Sequence, residues 1–424
     1  MTILGKKGFT LAISLLFLFL SFAPLAVLIM ARTNGFFIAN RTADLKRAAY
    51  IADAGIADAF VQLRAYASPP MSFNVNNPNY TLGSGQKGSY SVSVVGTGSP
   101  WIAFTITSTG TYNHLTKTLV LQVQQTAISS FAYLSQTEIN PQWGQLWWIT
   151  GMTTVGPTRT NGQLNIWGSP VFDGTVAQNN AAIHYWNGGP PIDNPVWADG
   201  LSLGVPSITL PANAMLNTLS SAAAGSGFLL SGNSTIIFNS DGTINVTNAD
   251  KGWNNTNMLL PANGTIYVQN GTATVQGTIK GQATVASDSE VYISGNLMYN
   301  TDPRTNPASN DLLGVVAKNN ITVLASSAPA NLELDAVLVA LNGAFQVDQW
   351  WLSGKGNMIQ YGSLVNNYCG PTGVFDPGTG TLYGGYNQLQ YYDTRLKSQI
   401  PPSFPPASDS TGRLLYVKTG FQEL

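Results

Sequence analysis

Chemistry-bearing side chains are sparse in this chain. There are two histidines, His114 and His184, and one cysteine, Cys369, in 424 residues. The histidines lie in different regions with no metal-ligand spacing around them, so isolated polar positions are expected for both. A single cysteine cannot close an intrachain disulfide, and a small buried apolar role suits it. Asp173, Asp193 and Asp199 fall within one stretch. On successive strands of a coil they could group as the carboxylates that glycoside hydrolysis needs, although turn positions account for each more simply. There is no Gly-X-Ser-X-Gly elbow and no glycine-rich phosphate loop with lysine. No catalytic group, metal site or cofactor is therefore expected.

The tryptophans are the more informative set. Trp143, Trp147, Trp148, Trp167, Trp186, Trp197, Trp350 and Trp351 stand among asparagine, glutamine and threonine. Indoles in such company can stack on sugars or on a protein partner, with core packing as the competing role. Neighbouring side chains on a strand point to opposite faces, so one ring of each doublet, Trp147-Trp148 and Trp350-Trp351, is expected to face outward. These four are the candidate ligand or contact aromatics.

The elements that must position them follow from composition. Charged residues are 9% of the chain and the net charge is −1, which gives no electrostatic case for nucleic acid or anionic lipid. With 43 glycines, 23 prolines and 44% apolar residues, the chain suits an extracellular β-rich protein with frequent turns and ample core material. Asn-X-Ser/Thr triplets at Asn233, Asn245, Asn263, Asn270 and Asn320 are expected by chance in such a sequence. From about residue 127 to 390, short Val- and Ile-rich strands alternate with Gly/Asn turns, as in GTIYVQNGTATVQGTIKGQATVASDSEVYISGNL, and no helix-length periodic segment interrupts them. That texture predicts a β-solenoid, with a β-sandwich as the alternative. Before it, GSYSVSVVG, WIAFTITSTGTY and LTKTLVLQVQQ read as a small antiparallel sheet over residues 80–126.

The amino-terminal region is helical by pattern. Phe9 to Ala31 is an uncharged run of about 23 residues, enough to cross a bilayer and too long for a signal-peptide core. Lys6 and Lys7 before it favour a cytoplasmic start, and Pro24 predicts a kink. Leu45, Ala49, Ala52, Ile56, Ala59 and Leu63 then form a heptad stripe rich in alanine, suited to close packing against other helices or the chain's own sheet. The fold class expected is α+β. Its parts are a leader at 1–8, the helix at 9–67, the small sheet domain at 68–126, the solenoid at 127–400 and a tail at 401–424.

Lys6-Lys7-Gly8-Phe9-Thr10-Leu11 resembles the processing site of type IV pilins. Ala48-Ala49-Tyr50-Ile51-Ala52-Asp53-Ala54-Gly55-Ile56 resembles the amino-terminal region of PilX-type minor pilins. The resemblance implies cleavage after Gly8 by a prepilin peptidase and methylation of Phe9. It also implies a helix that anchors the chain in the inner membrane and later packs with other pilin subunits in an extracellular fibre. Pilins usually carry glutamate at the fifth mature position, where Ile13 stands here; that departure implies a minor, tip or assembly-initiating role rather than a main fibre subunit. Gly156-Pro157-Thr158-Arg159-Thr160-Asn161-Gly162, Gly168-Ser169-Pro170-Val171-Phe172 and Tyr391-Tyr392-Asp393-Thr394-Arg395-Leu396 resemble a bacterial domain of unknown function that often follows such termini. The function expected is a non-enzymatic minor pilin in pilus assembly, tip display or surface adhesion, with a glycan or surface ligand as a further partner. The alternatives are a membrane-anchored β-helix protein that binds or acts on carbohydrate, and a plain anchored surface protein.

Overall fold

The computed structural model describes residues 4–66, 70–83, 85–97, 103–210, 214–352, 354–376, 379–404, 408–409 and 413–424. It has an α+β fold in two units, Met1–Gln124 with Val417–Leu424, and Gln125–Tyr416.

The first unit is built on helix α1, Leu4–Ala65, a single helix of 62 residues that continues through Pro24 and is roughly 90 Å long. Gly8 and Phe9 lie in its first turns; their side chains, and that of Ile13, are outside the described set. From Leu11 to Ile38 its large apolar side chains are exposed. Further along, Ala48, Ile51, Ala52, Ile56, Ala59 and Leu63 are buried where α1 packs on an antiparallel sheet of β1 (Ser72–Thr81), β2 (Lys87–Thr97), β3 (Ala103–Tyr112) and β4 (Leu115–Gln125). The strands alternate inward Val92 and Val94, Phe104 and Ile106, Leu119, Leu121 and Val123 with outward polar residues, the mark of a sheet covered on one face.

The alanines matter because the sheet comes very close. A β-carbon added to Gly110 on β3 would lie 2.2 Å from the Ala48 carbonyl oxygen and 2.4 Å from the Ala52 nitrogen. The helix backbone thus rests directly on a strand that has no side chain there. This packing face differs from the expected stripe at its upper end, where Leu45 and Ala49 are only half-buried and Ala48 and Ile51 take the contact. The expected tail also differs: Tyr416–Glu423 is a strand beside β4, making the order β1-β2-β3-β4 and then the carboxy-terminal strand. Lys117 pairs with Glu423 at 3.1 Å across that edge. The chain leaves the sheet after β4 and returns to it only after residue 415.

The second unit is a coil of parallel strands. Along one face Phe228–Ser231, Thr265–Gln269, Gln282–Ser287, Leu312–Ala317, the second half of Leu332–Ala340 and the second half of Gly354–Tyr368 pair in parallel, each with the next. The stack then continues with strands from earlier in the sequence: Tyr133–Thr137, Thr158–Thr160, Val176–Gln178 and Leu201–Ser202. The join is in register on two faces, with Leu364 opposite Tyr133 and Leu389 opposite Thr153. The solenoid is therefore permuted, its first-written coils lying beyond its last-written ones.

The permutation requires a return path. After Ser202 the chain doubles back, with Arg159 donating to the Pro206 carbonyl and Asn161 pairing with the Ile208 backbone in both directions. It then enters helix α2, Ala214–Ser226, which packs on the strands at the other end of the stack through Met215, Leu216, Leu219 and Ala223. This helix corrects the expectation of an uninterrupted run of strands; its apolar residues at spacings of three and four were the overlooked signal. Corners are locked from coil to coil by side-chain oxygens. Asn320 accepts from Ala344 N at 2.9 Å, Asn366 from Phe345 N at 2.9 Å and Asp311 from Gly281 N at 2.7 Å, which is why the turns are rich in asparagine.

Candidate functional site

The tryptophans expected to carry a site converge beside the join. Strands Trp148–Ile149, Asn165–Trp167 and His184–Tyr185 stack in parallel as successive coils, and this places Trp147, Trp167 and Trp186 in one cluster. Trp167 and Trp186 stack at 4.4 Å with planes 16° apart, and Trp147 meets Trp186 edge-on at 5.1 Å and His184 at 5.0 Å. A second cluster comes from a different part of the sequence: Trp143 lies 5.4 Å from Trp350 and 6.0 Å from Trp351, and those two are perpendicular at 5.6 Å.

The two clusters border one cleft of about 210 Å³, lined by Trp147 and Trp167 of the first and Trp350 of the second, with Ile149, Met152 and Phe375 among the apolar lining. Thr372 and Gln388 supply its polar side chains. On the far side of Trp350 a recess of about 240 Å³ is lined by Gln142, Trp143, Gln346, Asp348 and Trp351. The indole nitrogen of Trp350, which borders both, is buried and has no hydrogen-bond partner.

Trp148 is the exception among the four expected rings. It is 5% exposed, packs on Tyr133 and Phe172, and donates its indole N–H to Glu138 at 3.3 Å. It belongs to the core beneath the cleft and is corrected from the ligand-facing set. Glu138 also accepts from the Tyr133 hydroxyl at 3.0 Å and from Ser135 at 2.5 Å. Burial raises its carboxyl pKa, and the hydrogen bonds from Ser135, Tyr133 and Trp148 oppose that shift without cancelling it. Burial also pushes up the thiol of Cys369, assisted by Glu138, so this cysteine is protonated and unreactive at neutral pH. A sugar hydrolase would need two carboxylates facing a substrate, whereas among the described residues no carboxylate lines the cleft.

Two residues that sequence reasoning did not assign to the site position it. Asp193, one of the three grouped aspartates, is fully buried and accepts from Gly168 N at 2.8 Å, Asn187 N at 2.5 Å and Asn187 Nδ2 at 3.1 Å. Gly168 and Asn187 immediately follow Trp167 and Trp186, so the carboxylate fixes the stacked pair. Burial pushes its pKa up, and these hydrogen bonds outweigh burial and leave it below the usual aspartate value. Asp173 and Asp199 are exposed and apart from it in function. His184 Nδ1 lies 2.9 Å from Asn165 Oδ1 and 3.3 Å from Gln145 Nε2, an amide network beside the Trp147 ring. Among the described residues no group of three His, Cys, Asp or Glu side chains is arranged to hold a metal ion. The recurrence of Trp147, Trp167 and Trp186 about twenty residues apart, one coil each, was the signal that could have united the first cluster.

No protein family matches the chain by its sequence, and no curated protein does. Among solved structures the chain is similar to the competence-associated pilin ComZ from Thermus thermophilus, at 12% identity over 89% of this chain and 96% of that one, with a TM-score of 0.38.

Proposed function

We propose that this protein is a minor type IV pilin-like subunit whose helix α1 joins a fibre and whose inserted solenoid acts outside the cell in assembly, tip display or adhesion. The observation that carries this reading is the division of α1. Its first half is long and apolar enough to cross a bilayer and is unburied in the chain itself, while its second half is fixed on the chain's own sheet. An apolar helix exposed on all sides needs lipid, or other helices, as its solvent. A pilin meets both in turn, first in the inner membrane and then in the fibre core. The stretch Lys6-Lys7-Gly8-Phe9 supplies the matching site for a prepilin peptidase, and Ile13 in place of glutamate favours a minor over a main subunit.

Mass spectrometry of the amino terminus, taken separately from sheared fibres and from membranes of the native cell, tests the proposal. The expected result is a chain beginning at methylated Phe9 and present in fibres. A chain retaining residues 1–8 and confined to membranes would overturn it in favour of a plain surface anchor.

A further inference from the structure

We propose that the cleft lined by Trp147, Trp167 and Trp350 binds an uncharged oligosaccharide. A sugar ring offers a face of C–H groups and a perimeter of hydroxyls. The cleft offers indole rings with neutral amide and hydroxyl groups, Gln388 and Thr372, between them, which is the complementary chemistry. Among the described residues no charged side chain lines the cleft, and the adjoining recess adds only Asp348. A phosphate backbone or an acidic sugar would lose its hydration there without gaining a counter-charge.

Trp350 lines both the cleft and the recess, so one ring borders the whole of the combined site. The site extends beyond one ring: Trp186 is 54% exposed at one outer end and Trp351 is 53% exposed at the other, so aromatic surface continues past both sides of the cleft. Cleft and recess together fall in the lower half of the usual ligand-site range, about 300–1,000 Å³. The walls are fixed before any ligand arrives, by the parallel coils and by Asp193, which limits the entropy lost on binding. The proposal rests on the fibre reading only for where such a sugar would be met.

The test titrates the purified full chain, in a detergent without a sugar headgroup, with short cello-, chito- and manno-oligosaccharides, following tryptophan fluorescence. Saturable binding of at least one neutral series is expected. Trp147→Ala and Trp350→Ala should each weaken it about tenfold or more, a loss of about 1.4 kcal/mol or more; Trp350→Phe, which keeps an aromatic ring but lacks the N–H, should weaken it less. Trp253→Ala, at the opposite end of the coil, should leave it unchanged, and circular dichroism melting confirms that each variant is folded. The proposal is overturned if no neutral series binds saturably or if binding survives both alanine variants. It is equally overturned if a single-stranded oligonucleotide or a proline-rich peptide fills the cleft instead. Failure here in a chain that is processed and present in fibres removes the sugar site alone, whereas a membrane-confined, unprocessed chain that binds removes the fibre reading alone.

Discussion

Buried carboxylates in this chain have opposite titrations, set by their hydrogen bonds. Asp193 has three donors and a lowered pKa. Its stabilising contribution is therefore present at and above the ordinary aspartate range and is lost as pH falls through its lowered value. Asp193→Ala should destabilise the solenoid by about 1–3 kcal/mol and abolish the near-ultraviolet circular dichroism of the Trp167–Trp186 stack, measured by denaturant titration and spectroscopy at neutral pH. Asp335 is the contrary case. Burial raises its pKa to about 7, against a hydrogen bond from Tyr299 N and the charge of Arg304. Arg304 stands 3.7 Å from it and is engaged more closely by Asp302 at 2.8 Å and Glu333 at 2.5 Å, and its charge lowers the Asp335 pKa without offsetting burial. The folded chain thus keeps a proton that the unfolded chain has released, and this contribution to stability falls as pH rises from about 4 to about 7. Thermal melts across that range should show the decline, and Asp335→Asn, which retains the acceptor for Tyr299 N, should flatten it.

At the scale of elements, the docking of α1 depends on which side of the interface can yield. At Gly110 an added methyl would strike helix backbone, at 2.2 Å from Ala48 O. At Gly55 on the helix it would strike side-chain atoms, Ser108 Oγ at 2.5 Å and Val92 Cγ2 at 2.9 Å, which can rotate. Gly110→Ala should therefore cost more than Gly55→Ala, by about 1–3 kcal/mol, with hydrogen exchange across residues 48–63 rising sharply in the first variant and modestly in the second. Equal effects would mean that the helix lifts off the sheet readily. The same packing covers Ala52, Ile56, Ala59 and Leu63 inside the chain, and the apolar residues left exposed on α1 over this span, such as Tyr50 and Val61, lie on the opposite face.

For the whole molecule, the permuted solenoid makes the join a load on non-local contacts. Strands near residues 133–155 pair with strands near 364–391, a separation in sequence that slows assembly because a long loop must close before the contacts form. Stability there should nonetheless match that of the other interior coils, since each strand at the join also has a neighbour on both sides. Hydrogen exchange on the full chain should find the join among the last regions to exchange. The end strands, Leu201–Ser202 and the exposed Trp253–Leu259, should exchange first. Early exchange at Tyr133–Thr137 would show instead that the two halves open independently. The chain enters and leaves the second unit close together, Thr126 N donating to Leu415 O at 2.8 Å.

The amino-acid sequence by itself determined the local elements. An uncharged run of 23 residues from Phe9 to Ala31 specifies a helix long and apolar enough to cross a bilayer, alternation of apolar and polar residues specifies a sheet with one covered face, and short β-branched runs punctuated by Gly and Asn specify a coil of strands. These signals are read within one window because the periods of helix and strand are local. Helix α2 was legible in the same way, from Met215, Leu216, Leu219 and Ala223, but was hidden among strand signals on either side. What only the tertiary structure decided was adjacency. The order of the coils, the return of Tyr416–Glu423 to the sheet beside β4, and the meeting of Trp147 and Trp167 with Trp350 all join residues far apart in the chain. Strand pairing is specified by backbone hydrogen bonds that every residue can make, so the pairing partners of a strand are selected by packing of the whole core and leave no mark in any short stretch. The same holds within the doublet Trp147-Trp148. Alternation assigned the two rings to opposite faces, and the core beneath, with Glu138 to accept its N–H, determined that Trp148 would be the one buried.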